Sequence, residues 1–394
     1  MAREYGRIGD VVNLQNDDSI EALRNRARRR LPKAVFDFID GGAETEATLK
    51  RNSLDFEQLT IEPHCFVDVS DRDLATSIID RRASMPLIIG PTGLAALTWP
   101  KADLALARAA EATNVPFVVS TSSSVRLEEV ASAAPSGRRW MQIYPYKDQN
   151  LVKSLIARAR ACEFEALVIT IDTPVLGYRS RDHRNGFSVP LRPNLRLLWD
   201  VVRCKRWTWG IIRHGIPRMQ NFVEHDSDRS MESLSAIMNR NMNPGASWCD
   251  LAWIRDAWDR KLVLKGVLTP AGAETAVREG LDAIVISNHG GRQLDGAPST
   301  ISVLSRIARV VNNRLEIYID GGVRRGVDIA KALALGAHSV MIGRAALYGV
   351  AAGGELGARH ALELLRSEYD RSLALLGCRS SADLTRSMVR RACG

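Results

Sequence analysis

One histidine of the chain is flanked by groups that could carry out acid–base chemistry on a small acid. His289 lies in the segment Ser-Asn-His-Gly-Gly-Arg-Gln-Leu-Asp at 287–295. An imidazole titrates near neutral pH and can remove a proton from a substrate, and the guanidinium of Arg292 can hold a carboxylate through two parallel hydrogen bonds. A structural histidine beside a tight Gly-Gly turn is the alternative, but the neighbouring asparagine and arginine favour a catalytic base.

A possible partner for this base lies in the segment Thr-Ile-Asp-Thr-Pro at 170–174. Asp172 could orient the imidazole and stabilise the imidazolium that forms when His289 accepts a proton. Arg179 follows on the same predicted loop. Considered in isolation, a surface ion pair between Asp172 and Arg179 is an equally good explanation.

Two segments with adjacent glycines and arginines indicate a phosphate site. They read Asp-Gly-Gly-Val-Arg-Arg-Gly at 320–326 and Gly-Arg-Ala at 343–345. Glycines let backbone N–H groups approach a phosphate closely, and Arg324 and Arg344 add positive charge. The pattern predicts a phosphorylated ligand and leaves open whether it is a cofactor or a substrate. Lys265 could stabilise negative charge on a reduced ring system, or it could be a buried stem with its amine at the surface.

Each of these segments follows a short apolar run rich in Val and Ile, and such runs are typical of parallel strands buried on both faces. Eight runs alternate with helical stretches, which predicts an α/β fold with a single (β/α)₈ barrel. An open doubly wound sheet is the alternative, but no Gly-x-Gly-x-x-Gly turn follows the early strands. The predicted strands are Pro86–Pro91, Phe117–Thr121, Trp140–Tyr144, Ala166–Asp172, Leu262–Gly266, Ala283–Asn288, Glu316–Gly321 and Ser339–Gly343.

The carboxyl ends of barrel strands meet at one face, so the polar residues that follow them should converge on one pocket. We expect residues 1–80 to form an N-terminal helical extension, 81–384 the barrel and 385–394 a C-terminal tail. About ninety residues separate the fourth and fifth strands, whereas a βα loop usually has about 2–6. This excess predicts a long insert at 188–247.

The middle of the insert, Leu195–Arg218, mixes three tryptophans and several aliphatic residues with arginines and a lysine. An amphipathic segment of this composition is typical of a peripheral membrane anchor that binds anionic lipid. A lid over the active site or an oligomer contact is the alternative. The three tryptophans, which we expect to be exposed, are Trp199, Trp207 and Trp209.

Composition and charge narrow the class of protein. The chain has 394 residues, a net charge of +9 and 45% hydrophobic residues, which is ordinary for a soluble enzyme with a large core. Its six cysteines are scattered without a Cys-x-x-Cys pair, and no signal sequence or membrane span is predicted. We therefore expect a cytoplasmic protein without a metal site. The basic run Arg24–Lys33 is interpreted as the solvated face of a helix ending near Pro32, so no nucleic-acid partner is predicted.

Taken together, several segments resemble the family of FMN-dependent L-2-hydroxy acid oxidases and dehydrogenases, from about Leu31 to Leu384. Within that family, the segments 90–94, 99–101 and 177–182 and the insert are most similar to membrane-associated members. The resemblance implies FMN as cofactor and oxidation of a mandelate-like or lactate-like acid to the 2-keto acid. The segments that carry it are Pro-Thr-Gly (91–93), Gln-Ile-Tyr (142–144), Thr-Ile-Asp-Thr-Pro (170–174), Gly-Tyr-Arg (177–179), Leu-Val-Leu-Lys-Gly (262–266), 287–295, 320–326 and 343–345.

The resemblance also assigns roles to individual residues. It implies that His289 is the base, Asp172 its partner, Arg292 the carboxylate clamp and Tyr144 the hydrogen-bond partner of the substrate hydroxyl, while Arg179 adds positive charge above the flavin. Lys265 would face the N1/O2 edge of the ring. FMN would contact Pro91, Thr92, Gly93, Ser120, Gln142, Thr170, Lys265 and Ser287, with its phosphate on Asp320, Gly321, Gly322, Val323, Arg324, Gly343 and Arg344.

The chain departs from the family pattern at one position near the N-terminus. Relatives resemble Pro-Lys-x-Val-Tyr-Asp-Tyr there, and the second tyrosine donates to the substrate carboxylate, whereas this chain has Phe36 and Phe38. Loss of one hydrogen bond to a charged group weakens transition-state binding by about ten- to a hundredfold if nothing replaces it. Phe38 is therefore a candidate specificity residue.

The predicted electron acceptor is a membrane quinone, because of the insert and because Gly93 stands where oxidases of the family more often resemble Pro-Thr-Ala. We expect a homo-oligomer, a tetramer, on the inner face of the cell membrane. An oxygen-using oxidase is the nearest alternative. Two other classes are disfavoured. A non-redox barrel isomerase, lyase or synthase acting on a phosphorylated metabolite leaves His289, Arg292 and Asp172 unexplained as a set, and the catalytic face of the barrel argues against a membrane-surface or nucleic-acid binding protein.

Overall fold

The computed structural model of the chain describes residues 14–187, 199–200, 202–222 and 239–391. Helices α1 (Ile20–Arg30), α2 (Lys33–Asp40) and α3 (Ala47–Glu57) come first. Ser19 caps α1 by accepting a hydrogen bond from the N–H of Ala22 at 3.2 Å, as short hydroxyl side chains do at helix starts. Strand β1 (Leu59–Ile61) and an antiparallel hairpin of β2 (Thr76–Ile78) and β3 (Arg81–Ala83) lead into the barrel.

Eight parallel strands close into a barrel, which confirms the predicted fold and excludes the open sheet. Each predicted run overlaps one of these strands, and every bound agrees to within two residues. The barrel closes where β11 (Ser339–Ile342) pairs with β4 (Leu87–Ile89). The strands are β4 (Leu87–Ile89), β5 (Phe117–Val119), β6 (Arg139–Ile143), β7 (Ala166–Thr170), β8 (Lys261–Val267), β9 (Ala283–Ile286), β10 (Glu316–Ile319) and β11 (Ser339–Ile342).

The barrel interior is a packed core that the β2–β3 hairpin closes at its amino-terminal end. Ile78 and Ile79 of the hairpin belong to the same buried cluster as Trp140 and Tyr318 of the strands. The N–H of Ile79 donates to the carboxylate of Glu316 at 3.0 Å, where β10 begins. Alternate strand residues fill the interior and the remaining ones pack against helices, so these strands are apolar on both faces.

The surrounding helices follow the βα rhythm of the barrel. The last of them, α13 (Arg344–Leu376), bends at Gly353 and Gly354, whose backbone angles are not helical, and it packs against α1. Strand β12 (Val389–Arg391), in the predicted C-terminal tail, pairs with β1; the predicted domain limits themselves stay a prediction. The helices are α4 (Ala102–Ala112), α5 (Leu127–Ala133), α6 (Gln149–Ala161), α7 (Ser180–Arg184), α8 (Lys205–His214), α9 (Asp250–Ala257), α10 (Pro270–Arg278), α11 (Thr300–Val311), α12 (Gly326–Ala334) and α13 (Arg344–Leu376).

The basic run of α1 ends where expected but is not a solvated face throughout. The helix ends at Arg30, two residues before Pro32. Arg24 makes hydrogen bonds through Nε and Nη2 to the buried carboxylate of Asp40, and the guanidinium of Arg30 lies 5.2 Å from the ring centroid of Trp99. The expectation of a solvated face is therefore wrong for Arg24, which bonds to Asp40 of α2, and for Arg30, which lies over Trp99. Arg28 and Arg29 are exposed, as expected.

The predicted insert is described only in part. Residues 188–198, 201 and 223–238, including the start of the proposed anchor, lie outside the described residues. In the described part, the indole of Trp207 donates to the carbonyl of Leu97 at 2.7 Å and is partly buried, so the expectation that three tryptophans are exposed is wrong for Trp207. Trp199 and Trp209 are exposed. Within the described residues, no helix combines the length and the apolar character needed to span a bilayer.

Candidate active site

A cavity of about 560 Å³ opens at the carboxyl ends of the barrel strands. Its lining contains nearly every residue that the sequence predicted for the site. The two exceptions are Asp172 and Ser287, which lie behind the wall and contact lining residues. The predicted residues in the lining are Phe38, Pro91, Thr92, Gly93, Ser120, Gln142, Tyr144, Thr170, Arg179, Lys265, His289, Arg292, Asp320, Gly321, Gly322, Val323, Arg324, Gly343 and Arg344.

The imidazole of His289 is held by Asp172. Its Nδ1 lies 2.9 Å from Oδ1 of the aspartate, and its backbone N–H donates to the hydroxyl of Ser287 at 3.0 Å. Burial would raise the pKa of Asp172, but His289 and then Lys265 outweigh burial and lower it. The aspartate therefore stays a carboxylate, and it can orient the ring so that Nε2 is the nitrogen available to a substrate. Gly266 makes this packing possible, because a Cβ there would lie 2.7 Å from the Cβ of Asp172.

Arg292 and Arg344 are tied to the end of α2. The Nη1 of Arg292 donates to the carbonyls of Phe38 at 2.7 Å and Gly41 at 2.9 Å. Arg344 donates to the carbonyls of Ile39, Gly290 and Gly41. Burial, together with the charges of Arg179 and Arg344, holds the pKa of Arg292 well below its ordinary value. Crowded, buried positive charge of this kind favours an anionic ligand in the cavity.

Tyr144 provides a hydroxyl on the wall of the cavity. Burial raises the pKa of Tyr144, and the charge of Asp172 raises it further against the opposing effect of Arg179 and Arg292. The hydroxyl therefore stays protonated at physiological pH and can donate a hydrogen bond. Its ring packs against that of Tyr146, with 5.4 Å between the centroids.

Several buried polar atoms around the cavity fit the FMN that the family resemblance implies. Among the residues that the structure describes, Nε2 of Gln142, Oγ1 of Thr170 and Oδ1 of Asp320 are buried and have no hydrogen-bond partner. Buried polar groups are nearly always paired in proteins, so these atoms indicate a missing polar ligand. The amine of Lys265 lies 3.1 Å from the other oxygen of Asp320 and donates to Ser287 at 2.9 Å. Although burial opposes it, Asp320 and Asp172 raise the pKa of Lys265, which stays a cation.

The phosphate end of the predicted site has the backbone that an anion needs. Gly321 and Gly322 have φ of 84° and 97°, a left-handed conformation that glycine adopts without strain. A Cβ at Gly322 would lie 2.2 Å from the carbonyl oxygen of Asn52. Arg324 lines the same region, with its guanidinium 5.8 Å from the ring centroid of Tyr348.

Phe38 forms an aromatic wall of the cavity. Its ring stacks on Phe187 with 4.7 Å between the centroids. The guanidiniums of Arg179 and Arg292 lie 5.6 Å and 5.2 Å from the centroid of Phe38, within the range of cation–π attraction. The other departure from the family pattern, Phe36, is buried in the core between helices and does not belong to the site.

The sequence did not reveal some of the lining residues. Leu176, Asp182, His183 and Phe187 come from the loop after β7 and from α7. The run Gly-Tyr-Arg-Ser-Arg-Asp at 177–182 indicated that loop, but Arg179 is the one residue of the run that the sequence placed in the site. Asn239 also lines the cavity. No pattern in the sequence marked it, because it lies near the end of the insert, far from any strand.

Comparison with known proteins identifies the family of the chain. Residues 27–391 match a family described as FMN-dependent dehydrogenase. The chain is 43% identical to (S)-mandelate dehydrogenase from Pseudomonas putida over 364 residues, which cover 92% of this chain and 91% of that protein. It is 38% identical to a peroxisomal (S)-2-hydroxy-acid oxidase from Oryza sativa subsp. japonica over 371 residues, 94% of this chain and 95% of that protein.

The fold is also similar to solved structures of this family. The fold superposes on a crystal structure of the monotopic membrane protein (S)-mandelate dehydrogenase with a TM-score of 0.91 and 41% identity, covering 96% of this chain and 100% of that one. This agrees with the predicted similarity to membrane-associated members.

Proposed function

Because the chain belongs to the family of FMN-dependent dehydrogenases, we propose that it uses His289 to oxidise an L-2-hydroxy acid to the 2-keto acid. The observation that carries the proposal is the contact of His289, in the lining of the cavity, with Asp172 behind it, in a cavity that Arg292 also lines. A non-redox isomerase, lyase or synthase would explain the predicted phosphate site, but it would not explain the pairing of His289 with Asp172.

The chain's own residues handle the proton and the charges. His289 takes a proton from the substrate, from its hydroxyl or from Cα, and Asp172 stabilises the resulting imidazolium. Tyr144 donates a hydrogen bond to the substrate hydroxyl oxygen. Among the described residues, Arg292 makes its hydrogen bonds to the end of α2 through Nη1, so its other donors can bind the substrate carboxylate. Arg179 adds a second positive charge.

FMN, when bound, supplies the two-electron chemistry that no side chain can provide. Gln142, Thr170, Ser287 and Lys265 would hold it through their polar atoms, on a floor formed by Pro91, Thr92 and Gly93 and the neighbouring Ser120. Asp320–Arg324 and Gly343–Arg344 would receive its phosphate. The buried ammonium of Lys265 would stabilise the negative charge that the ring system of FMN carries when it is reduced.

A steady-state assay separates the dehydrogenase from the oxidase. The substrates are lactate, glycolate, mandelate and 4-hydroxymandelate, with a quinone analogue or oxygen as acceptor. We expect turnover with the quinone analogue and slow consumption of oxygen. Equal rates with the two acceptors would favour the oxidase, which the similarity to the rice enzyme keeps as the second candidate. No turnover with any acid would contradict the proposed function.

The Phe38→Tyr variant tests how the enzyme selects its acid. A tyrosine hydroxyl at this position could donate to the substrate carboxylate, so the KM for lactate should fall by about ten- to a hundredfold. KM values for lactate and mandelate provide the measurement. Phe36→Tyr, which places its hydroxyl in the core, should give no such gain. A KM that rises for every acid would mean that the stacked Phe38–Phe187 wall itself selects the substrate.

We also propose that the insert attaches the enzyme to the inner face of the cell membrane, where a quinone accepts the electrons. Exposed apolar residues of α8 and its flanks support this, and Trp209 and Ile212 are 53% and 69% exposed. Basic residues at 203, 205, 206, 213 and 218 are exposed beside them. Each basic residue near an anionic leaflet contributes about 1 kcal/mol to binding. The proposed tetramer is a separate matter that light scattering of the purified protein tests.

Vesicle binding should depend on the exposed face of α8. We expect the protein to co-sediment with vesicles containing anionic lipid at low salt and to be released at high salt. The Trp209→Ser/Ile212→Ser variant should sediment less, because it removes apolar area without touching the Trp207 contact. Leu375→Ser, at an exposed leucine on α13, is the control. Equal sedimentation of the two variants would contradict the anchor, and loss of activity in Trp209→Ser/Ile212→Ser with a soluble acceptor would favour a lid.

A further inference from the structure

The loop that carries Tyr144 is held by residues of the insert. A tight turn, in which the N–H of Tyr146 donates to the carbonyl of Tyr144 at 2.9 Å, brings the two tyrosine rings together. The next residue, Lys147, donates its N–H to the carbonyl of Asn241 at 3.0 Å. Asn241 lies only two residues from Asn239, which lines the cavity. The returning end of the insert therefore touches the loop directly.

A second part of the insert packs behind the same loop. The ring of Phe222 meets that of Tyr146 edge to face, with 5.7 Å between the centroids and 61° between the planes. Phe222 and Tyr146 are both buried. Three rings thus run in contact from Phe222 through Tyr146 to Tyr144, whose hydroxyl faces the cavity region. Phe222 itself is not among the described residues that line the cavity.

The barrel also holds Phe222 in place, through hydrogen bonds of the two residues that precede it. The N–H of Gln220 donates to the carbonyl of Ser123 at 3.1 Å. Oδ1 of Asn221 accepts hydrogen bonds from the N–H of Leu127 and from Arg158, each at 3.2 Å. The segment Met219–Phe222 is therefore wedged between the loop after β5 and the loop after β6.

We propose that Phe222 is a positioning residue for Tyr144 and acts through the ring of Tyr146. The inference rests on the role given to Tyr144 in the proposed function. Buried side chains are packed as densely as organic crystals, so a change in one ring displaces its neighbour. Edge-to-face aromatic pairs also have a preferred geometry. A displacement of about 1 Å at a catalytic group can lower the rate by about a hundredfold.

The test is a double-mutant cycle between Phe222→Leu and Tyr144→Phe in the FMN-loaded enzyme. Phe222→Leu alone should lower kcat about tenfold and change KM less than about twofold, with FMN content and thermal unfolding close to the parent. In the Tyr144→Phe background the same substitution should have no further effect on kcat, because the hydroxyl that it positions is gone. Tyr146→Leu, at the middle ring, should give the same pattern and serves if Phe222→Leu folds poorly.

The control is Phe164→Leu, at a fully buried phenylalanine just before the start of β7, at the opposite end of that strand from the site. It should leave kcat unchanged in both backgrounds. Effects of Phe222→Leu that multiply with those of Tyr144→Phe, or an unchanged kcat in Phe222→Leu, would overturn the inference and leave the proposed function intact. A Tyr144→Phe enzyme with the parental rate would contradict the role of Tyr144, and this inference with it.

Discussion

Replacing His289 should lower kcat/KM for the hydroxy acid by about 10²–10⁴-fold, the usual contribution of a general base, while FMN stays bound. His289 has a left-handed backbone with φ of 57°. Asparagine and aspartate adopt that conformation more readily than most residues. His289→Asn is therefore the variant that removes the base with the least disturbance of the turn, and His289→Gln is the larger companion. The measurements are kcat/KM with a soluble acceptor and the flavin absorbance of the purified variant.

The control for this experiment is a substitution of a histidine outside the cavity. His64 is exposed, and His64→Gln should keep the parental rate. Asp172→Asn should share most of the loss, since an amide cannot stabilise the imidazolium as a carboxylate does. A His289→Asn enzyme that keeps more than about a tenth of the parental kcat would remove His289 from the role of base.

Lys265→Met should cost the enzyme both its cofactor and much of its stability. The buried ammonium lies 3.1 Å from the carboxylate of Asp320 and donates to Ser287, and the charge of Asp172 also raises its pKa. Removing one partner of a buried ion pair leaves an uncompensated charge and typically destabilises a protein by about 3–5 kcal/mol. We expect a colourless protein with a lower free energy of unfolding, measured by denaturant titration and by flavin absorbance.

Two further variants separate charge from packing. Lys265→Met/Asp320→Asn removes both charges and should recover part of the lost stability without recovering turnover. Lys331→Met replaces another buried lysine, which donates to the carbonyl of Phe56, and should leave the flavin content unchanged. If Lys265→Met binds FMN as tightly as the parent, the proposed place of Lys265 in the cofactor site is wrong.

The barrel and most of the cavity could be predicted because the signals are local. A run such as Ala-Leu-Val-Ile-Thr at 166–170 is apolar on both faces, which indicates a buried parallel strand, and its end must lie at the catalytic face. Any polar residue that follows directly, such as Asp172, is then placed to within one turn of the chain. The same short run of residues therefore predicts both the strand and the position of the polar residue that follows it.

Other features depend on contacts between distant parts of the chain and could not be predicted. The hydrogen bonds from Arg292 and Arg344 to the end of α2 require the position of a helix more than 250 residues away in sequence. Trp207 looked like an exposed membrane residue, because composition alone does not show that its indole reaches the carbonyl of Leu97. Asn239 reaches the cavity only through the path of a long insert.

The hairpin that closes the lower end of the barrel has a consequence for the order of events during turnover. Ile78 and Ile79 fill that end, so we expect the hydroxy acid, the keto acid and the electron acceptor to pass through the mouth formed by the loops after the strands. Because these three molecules use the same opening, they enter and leave the cavity one after another. The keto acid has to leave before a bulky acceptor can approach, and steady-state kinetics should follow a ping-pong pattern. Added keto acid should then compete with the acceptor rather than act independently of it.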